Sequence, residues 1–155
     1  MEFSRQQKKV LRFPYSDYDG IICDGAVRSG KTSVMSLSFF LWAMSCFQGC
    51  SFAFCGKSVG AVDRNIITPL LSVHYLQEQF HITYQRANGC LIVSRGKREN
   101  RFYLFGGKDE SSASLIQGIT LAGVFLDEVA LMPRSFVQQA LARCSVTGAK
   151  LWFNC

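Results

Sequence analysis

Apolar residues in this chain fall into short dense runs separated by polar or glycine-containing breaks, and the runs alternate between strand and helix lengths. Residues 20–23 form a short apolar strand ending in Asp24-Gly25, and residues 32–47 follow as a helix that is apolar on nearly every side. A helix of that kind is enclosed in a layered fold. Residues 51–55 alternate small and aromatic side chains as a second strand. Ser58 then reads as the N-cap of a helix over 59–67, and Thr68-Pro69 restarts a helix running through Leu70, Val73, Leu76 and Phe80. Residues 81–85, 89–94 and 101–105 read as short antiparallel strands joined at Asn88-Gly89 and around Gly96. A near-continuous apolar strand over 121–126, a helix over 133–142 and a strand over 150–154 complete the pattern. Apolar strands separated by helices predict a mostly parallel sheet covered on both faces. The chain reads as a three-layer α/β domain with a small antiparallel hairpin insertion.

The composition agrees with one folded domain. The chain has 155 residues, 48% apolar and 18% charged, which excludes a disordered solvating segment. A net charge of +6 admits nucleic acid as a partner without speaking to the fold. Seven cysteines, an odd number without CxxC or paired His spacing, argue against a disulfide framework or a zinc site and for core thiols in a reducing compartment. The polar, basic start has no apolar core of a secretory signal. Residues 32–56 carry no charge, but Ser33, Ser36, Ser38 and Ser45 break them into a buried helix and strand rather than a membrane span.

Chemistry enters with Gly25-Ala26-Val27-Arg28-Ser29-Gly30-Lys31-Thr32, a complete GxxxxGK[ST] between an apolar strand and a helix start. Glycines let such a loop wrap an anion, and backbone N–H groups and the helix N-terminus point at the β-phosphate of ATP. Lys31 would span the β- and γ-phosphates, and the Thr32 hydroxyl would ligate Mg²⁺. The second half of the site is an acidic pair ending another apolar strand, Asp127 for the Mg²⁺ shell and Glu128 to orient and polarise the attacking water. A phosphate loop with an adjacent acidic pair marks ATPases that insert one strand between the two motif strands. Residues 150–154 follow in the right place, which would set Asn154 facing the γ-phosphate as a coupling residue. The predicted fold is thus a three-layer P-loop NTPase of RecA-like, ASCE type.

Four stretches in order carry a resemblance to the N-terminal ATPase domain of tailed-phage or prophage terminase large subunits. Residues 4–10 are similar to the adenine-reading glutamine segment, and residues 24–33 to the GGxRSGKT form of the phosphate loop. Residues 114–128, with Gln117-Gly118-Ile119-Thr120, are similar to the approach to the acidic pair, and residues 151–155 to the start of the coupling motif. The resemblance implies an ATP-driven, Mg²⁺-dependent motor that moves double-stranded viral DNA, without regard to sequence, into a procapsid in the cytoplasm of a bacterial host. The small terminase subunit and portal are its implied partners, and a homo-oligomeric ring the form of the full-length protein. It assigns Gln7 to the adenine, with Gln6 one residue away, and Arg28 to the phosphates as a catalytic group beside Lys31 and Glu128. Where many relatives place an arginine before the position of Gly118, this chain has Gln117, so a trans-acting arginine would come from elsewhere, with Arg98, Arg101, Arg134 and Arg143 as candidates. The basic stretch 95–101 is a hairpin tip, either solvated or touching phosphates. The resemblance further implies that residues 1–155 are an ATPase domain incomplete at its C-terminus, with no acidic cluster for a nuclease and an apolar sheet edge expected beside residues 20–23. A prophage-derived module that binds nucleotide without turnover and a helicase-like P-loop ATPase are the alternative readings.

Overall fold

The computed structural model describes residues 2–25 and 30–155. Helix α1 (Arg5–Arg12) was not evident from apolar periodicity. It opens on a capping box in which Ser4 Oγ accepts the Gln7 amide at 3.2 Å and Gln7 Oε1 accepts the Ser4 amide at 2.9 Å. Strand β1 (Gly20–Cys23) leads through the phosphate-loop segment to α2 (Lys31–Cys46). The serines that interrupt the α2 apolar run are satisfied locally. Ser36 Oγ donates to the Ser33 carbonyl at 3.0 Å, and Ser38 Oγ donates to the Val10 carbonyl at 3.0 Å, strapping α1 onto α2.

Strand β2 (Ser51–Gly56) is followed by α3 (Val59–Val62), whose N-cap Ser58 accepts the Ala61 amide at 3.1 Å as expected. A π-helical turn, Asp63–Ile67, joins it directly to α4 (Thr68–Leu71). Pro69 has no N–H for the Asn65 carbonyl, and the wider turn removes the demand for one. The predicted continuous helix to Phe80 is interrupted: Val73 is extended, at φ −71° and ψ 112°, before α5 (His74–Gln79). Strands β3 (His81–Gln85), β4 (Cys90–Arg95) and β5 (Arg98–Gly106) come next, then α6 (Glu110–Gln117), β6 (Gly123–Leu126), α7 (Arg134–Ala142) and β7 (Lys150–Asn154).

One seven-stranded sheet has the order β1-β7-β6-β2-β5-β4-β3. The links from β1 through β5 are parallel and the last two antiparallel. The meander is therefore no separate insertion: β5 pairs with β2 from Ser51↔Arg101 to Gly56↔Gly106 and extends the main sheet. Strand β7 lies between β1 and β6, as the motif order requires. At the opposite edge from β3, β1 pairs only with β7 among the described residues, and Ile22 is 71% exposed.

Alternation along the strands splits the core between the two faces. Phe52, Phe54, Phe102, Phe125 and Trp152 point toward α2, where Phe39 meets Trp152 at 5.0 Å and Phe54 at 5.1 Å between ring centroids, both edge to face. Ala53, Cys55, Val124 and Leu126 point the other way, under Ile116 of α6 and Phe136 and Ala140 of α7. Gly123 lets α2 approach β6, since a Cβ there would lie 2.7 Å from Trp42 Cζ3. Asn100 is buried on β5 and ties the end of α2 to the sheet, its Nδ2 donating to the Phe47 carbonyl at 2.9 Å and its Oδ1 accepting the Cys50 amide at 3.0 Å. All seven cysteines are free thiols. No helix among the described residues is long and apolar enough to cross a membrane.

Candidate functional site

Parallel pairing brings the motifs together at the C-terminal ends of three neighbouring strands. Cys23 of β1 is in register with Asn154 of β7, and Leu126 of β6 with Phe153, so Asp127 emerges beside Asn154. The Asp127 amide still donates to the Cys55 carbonyl at 2.8 Å, which fixes the carboxylate at the strand end. On the other side, Gly30 takes φ +73° as the N-cap of α2, a conformation that disfavours any side chain, and Lys31 and Thr32 occupy the first turn. Gly30, Lys31, Thr32, Asp127 and Asn154 line a cleft of about 670 Å³.

Its centre is a three-residue contact. Asn154 Nδ2 donates to Asp127 Oδ1 at 2.6 Å and to Thr32 Oγ1 at 3.0 Å. Asn154 and Asp127 are 4% and 7% exposed, and the Asn154 Oδ1 has no hydrogen-bond partner among the described residues. Burial pushes the Asp127 carboxyl above the usual aspartate range; the Asn154 hydrogen bond opposes this, the Glu128 charge adds to it, and Lys31 works against it. Thr32 and Asp127 thus aim two hard oxygens at one polar point. That donor set fits Mg²⁺, which binds through one or two protein oxygens and completes its shell with phosphate and water. Lys31 Nζ donates to the carbonyls of Gly25 at 3.1 Å and Cys155 at 2.5 Å.

Glu128 is exposed to the cleft and has φ +52°, the one left-handed non-glycine residue among those described. Such backbone is costly for a side chain and persists where the surroundings impose it, often at reactive sites. The acidic pair does not cap a helix directly: a 3₁₀ turn, Val129–Leu131, intervenes before α7.

Gln7 reaches the same region. Its Oε1 is used in the capping box, while its Nε2 lies 3.5 Å from where a Cβ on Gly30 would stand. Gln6 is exposed and has no such neighbour among the described contacts. The assignments on Ala26, Val27, Arg28 and Ser29 fall outside the described residues. Two of the arginine candidates have other surroundings. Arg98 donates to the Met44 carbonyl at 2.8 Å and to that of Ser45, closing the C-terminus of α2, and Arg101 lines a different cavity, with Gln85 and Leu115. Sequence reasoning missed Arg64 and Asn65, which line the cleft from the π-turn. Asp63-Arg64-Asn65 reads locally as the polar face of a helix whose apolar spacing continues from Val62 to Ile66 and Ile67.

A parallel α/β sheet with one strand between the phosphate-loop and acidic strands, and those motifs meeting at their ends, defines a P-loop nucleotide-binding domain of RecA-like order. Comparison with solved structures narrows the class. The large terminase of a thermophilic bacteriophage superposes over 100% of this chain with a TM-score of 0.94 and 56% identity, and its ADP complex over 99% with 0.90 and 55%. This chain spans 39% of the length of each. The ATPase domain of the Thermus phage P74-26 large terminase shares the fold at 16% identity, with a TM-score of 0.74 over 99% of this chain and 64% of that one. The chain is thus similar over its whole length to part of a phage large terminase, at 56% identity. No protein-family model and no curated protein sequence matches it.

Proposed function

We propose that residues 1–155 are the ATP-hydrolysing motor domain of a phage or prophage large terminase, which in the whole protein drives double-stranded viral DNA into a procapsid. The observation that carries this is the meeting of Lys31, Thr32, Asp127, Glu128 and Asn154 in one cleft at the ends of β1, β7 and β6. The ADP and ATP-γ-S complexes of the thermophilic phage's large terminase support ATP as the ligand.

In this reading the phosphates settle on the loop formed by Gly25, Ala26, Val27, Arg28, Ser29 and Gly30. Lys31 exchanges its carbonyl partners for the β- and γ-phosphates, and Arg28 adds a second cation. Thr32 Oγ1 and Asp127 hold Mg²⁺, which neutralises charge on the phosphate oxygens. Glu128 orients and polarises the attacking water, and Gln7 presents its free Nε2 to the adenine. Asn154, no longer needed by Thr32 and Asp127, turns to the γ-phosphate and passes its state into β7. DNA is held through phosphates, sequence-blind and salt-sensitive. The small subunit, the portal and a ring of copies complete the machine in the host cytoplasm, and no DNA cleavage is expected from these residues.

Binding of a fluorescent ATP analogue tests the assignment of the loop. Lys31→Ala removes the cation between the outer phosphates and should abolish measurable binding, whereas unchanged binding would mean that the loop is not the nucleotide site.

A further inference from the structure

Among the described residues, the cleft holds one cation besides the lysine of its phosphate-loop motif. Among its described lining residues, Lys31 and Arg64 are the cations, against Asp127 and Glu128 as anions, so without Arg64 that wall is net negative where a polyanion must enter. Arg64 is exposed and forms no ion pair among the described residues, whereas the neighbouring Asp63 is already taken by Tyr84 Oη at 2.8 Å and Arg86 Nη1 at 3.1 Å.

The fold holds this arginine at the cleft mechanically. Ile66 and Ile67 are buried and anchor the turn, while the π-register imposed ahead of Pro69 carries Arg64 and Asn65 to the cleft wall. Gly60, one turn earlier, leaves room for the side chain: a Cβ there would lie 3.2 Å from Arg64 Nη1. The inner phosphates are served by the loop and by Lys31. On the nucleotide reading, a terminal phosphate would stand at the end of the cleft marked by Asp127, Glu128 and Asn154, and a guanidinium fork suits it in a way an ammonium does not.

We propose that Arg64 is a ligand of the γ-phosphate, supplied from within the same chain by the π-turn after β2. This rests on the nucleotide reading above. It makes Arg64 the residue by which the cleft distinguishes triphosphate from diphosphate, a role that Gln117 has no charge to fill.

The test compares Mg²⁺-dependent binding of fluorescent ATP-γ-S and fluorescent ADP by the wild type, Arg64→Ala, Arg64→Lys and Lys31→Ala, with thermal melting as a check on folding. Arg64→Ala should weaken triphosphate binding by about 10- to 100-fold, the value of losing a charge-assisted contact, and ADP binding by less than about 3-fold. Arg64→Lys should fall between, because it keeps the charge and loses the fork. Equal weakening of both nucleotides, or of neither, would overturn the proposal while Lys31-dependent binding persists. Wild-type binding that is absent, or unaffected by Lys31→Ala, would instead overturn the nucleotide reading itself. Should Arg64→Ala not fold, Arg64→Gln carries the same comparison.

Discussion

Replacing Asn154 by alanine probes the contact on which the site is built. The change removes the 2.6 Å donation to Asp127 Oδ1, between groups that are both nearly inaccessible, and the 3.0 Å donation to Thr32 Oγ1. A hydrogen bond to a buried charged group contributes about 1.5–3 kcal/mol and the neutral one about 0.5–1.5 kcal/mol. Part of that is offset, because the unpartnered Asn154 Oδ1 disappears as well and with it an unsatisfied acceptor costing about 1 kcal/mol. The net loss is about 1–3 kcal/mol, or a melting temperature lower by about 2–12 °C for a domain of this size. A double-mutant cycle with Asp127→Ala isolates the pair and should give a coupling of about 1.5–3 kcal/mol, measured by denaturant unfolding without nucleotide. Run again with Mg-ATP, the cycle should give a smaller value, since the two oxygens then have another partner. A coupling near zero in the empty protein would refute the claim that this amide holds the carboxylate in place.

Burial and packing set the outcome of three other substitutions. Asp127→Asn should stabilise the empty domain at neutral pH. Burial raises the folded-state pKa of Asp127 above its unfolded value, so the charged form is disfavoured in the fold, and this cost is fully present above the folded pKa and relieved as pH falls through it. Melting curves of the two proteins should therefore converge on acidification, and a gap that widens would contradict the assignment. Asn100→Leu should cost about 2–4 kcal/mol by chemical denaturation, because it strands the Cys50 amide and the carbonyl of Phe47 at the junction of α2 and β2. Gly123→Ala should cost about 1–3 kcal/mol, read by the same denaturation, through overpacking against Trp42, without changing the residues of the cleft.

How much the sequence disclosed depended on which physical signal each element carries. Strands β1 and β7 were read at their observed bounds because each is a compact apolar run closed by polar residues, and the place of β7 between β1 and β6 followed from the motif order. Helix α1 escaped because no residue of it is fully buried; its signal was the Ser4–Gln7 capping box rather than periodicity. Helix α6 escaped for a related reason: its serine-rich start hides the buried anchor Ile116, although Asp109 and Gly118 stand at its two caps. The break at Val73 and the π-turn at Asp63–Ile67 were invisible because apolar spacing continues through both. Within the cleft, the motif residues were legible as a pattern. Arg64 was not, since nothing in its local sequence says that the turn after β2 faces the ends of β6 and β7.

Under the proposed function, turnover of ATP in this cleft depends on Glu128. Single-turnover phosphate release with bound Mg-ATP isolates that step, comparing wild type with Glu128→Gln, which keeps the shape of the side chain and removes its basicity. The variant should still bind nucleotide and should release phosphate more slowly by about 10²- to 10⁴-fold, the usual worth of a positioned general base. Equal rates in the two proteins would contradict the assignment of Glu128 and with it the hydrolytic reading of the cleft.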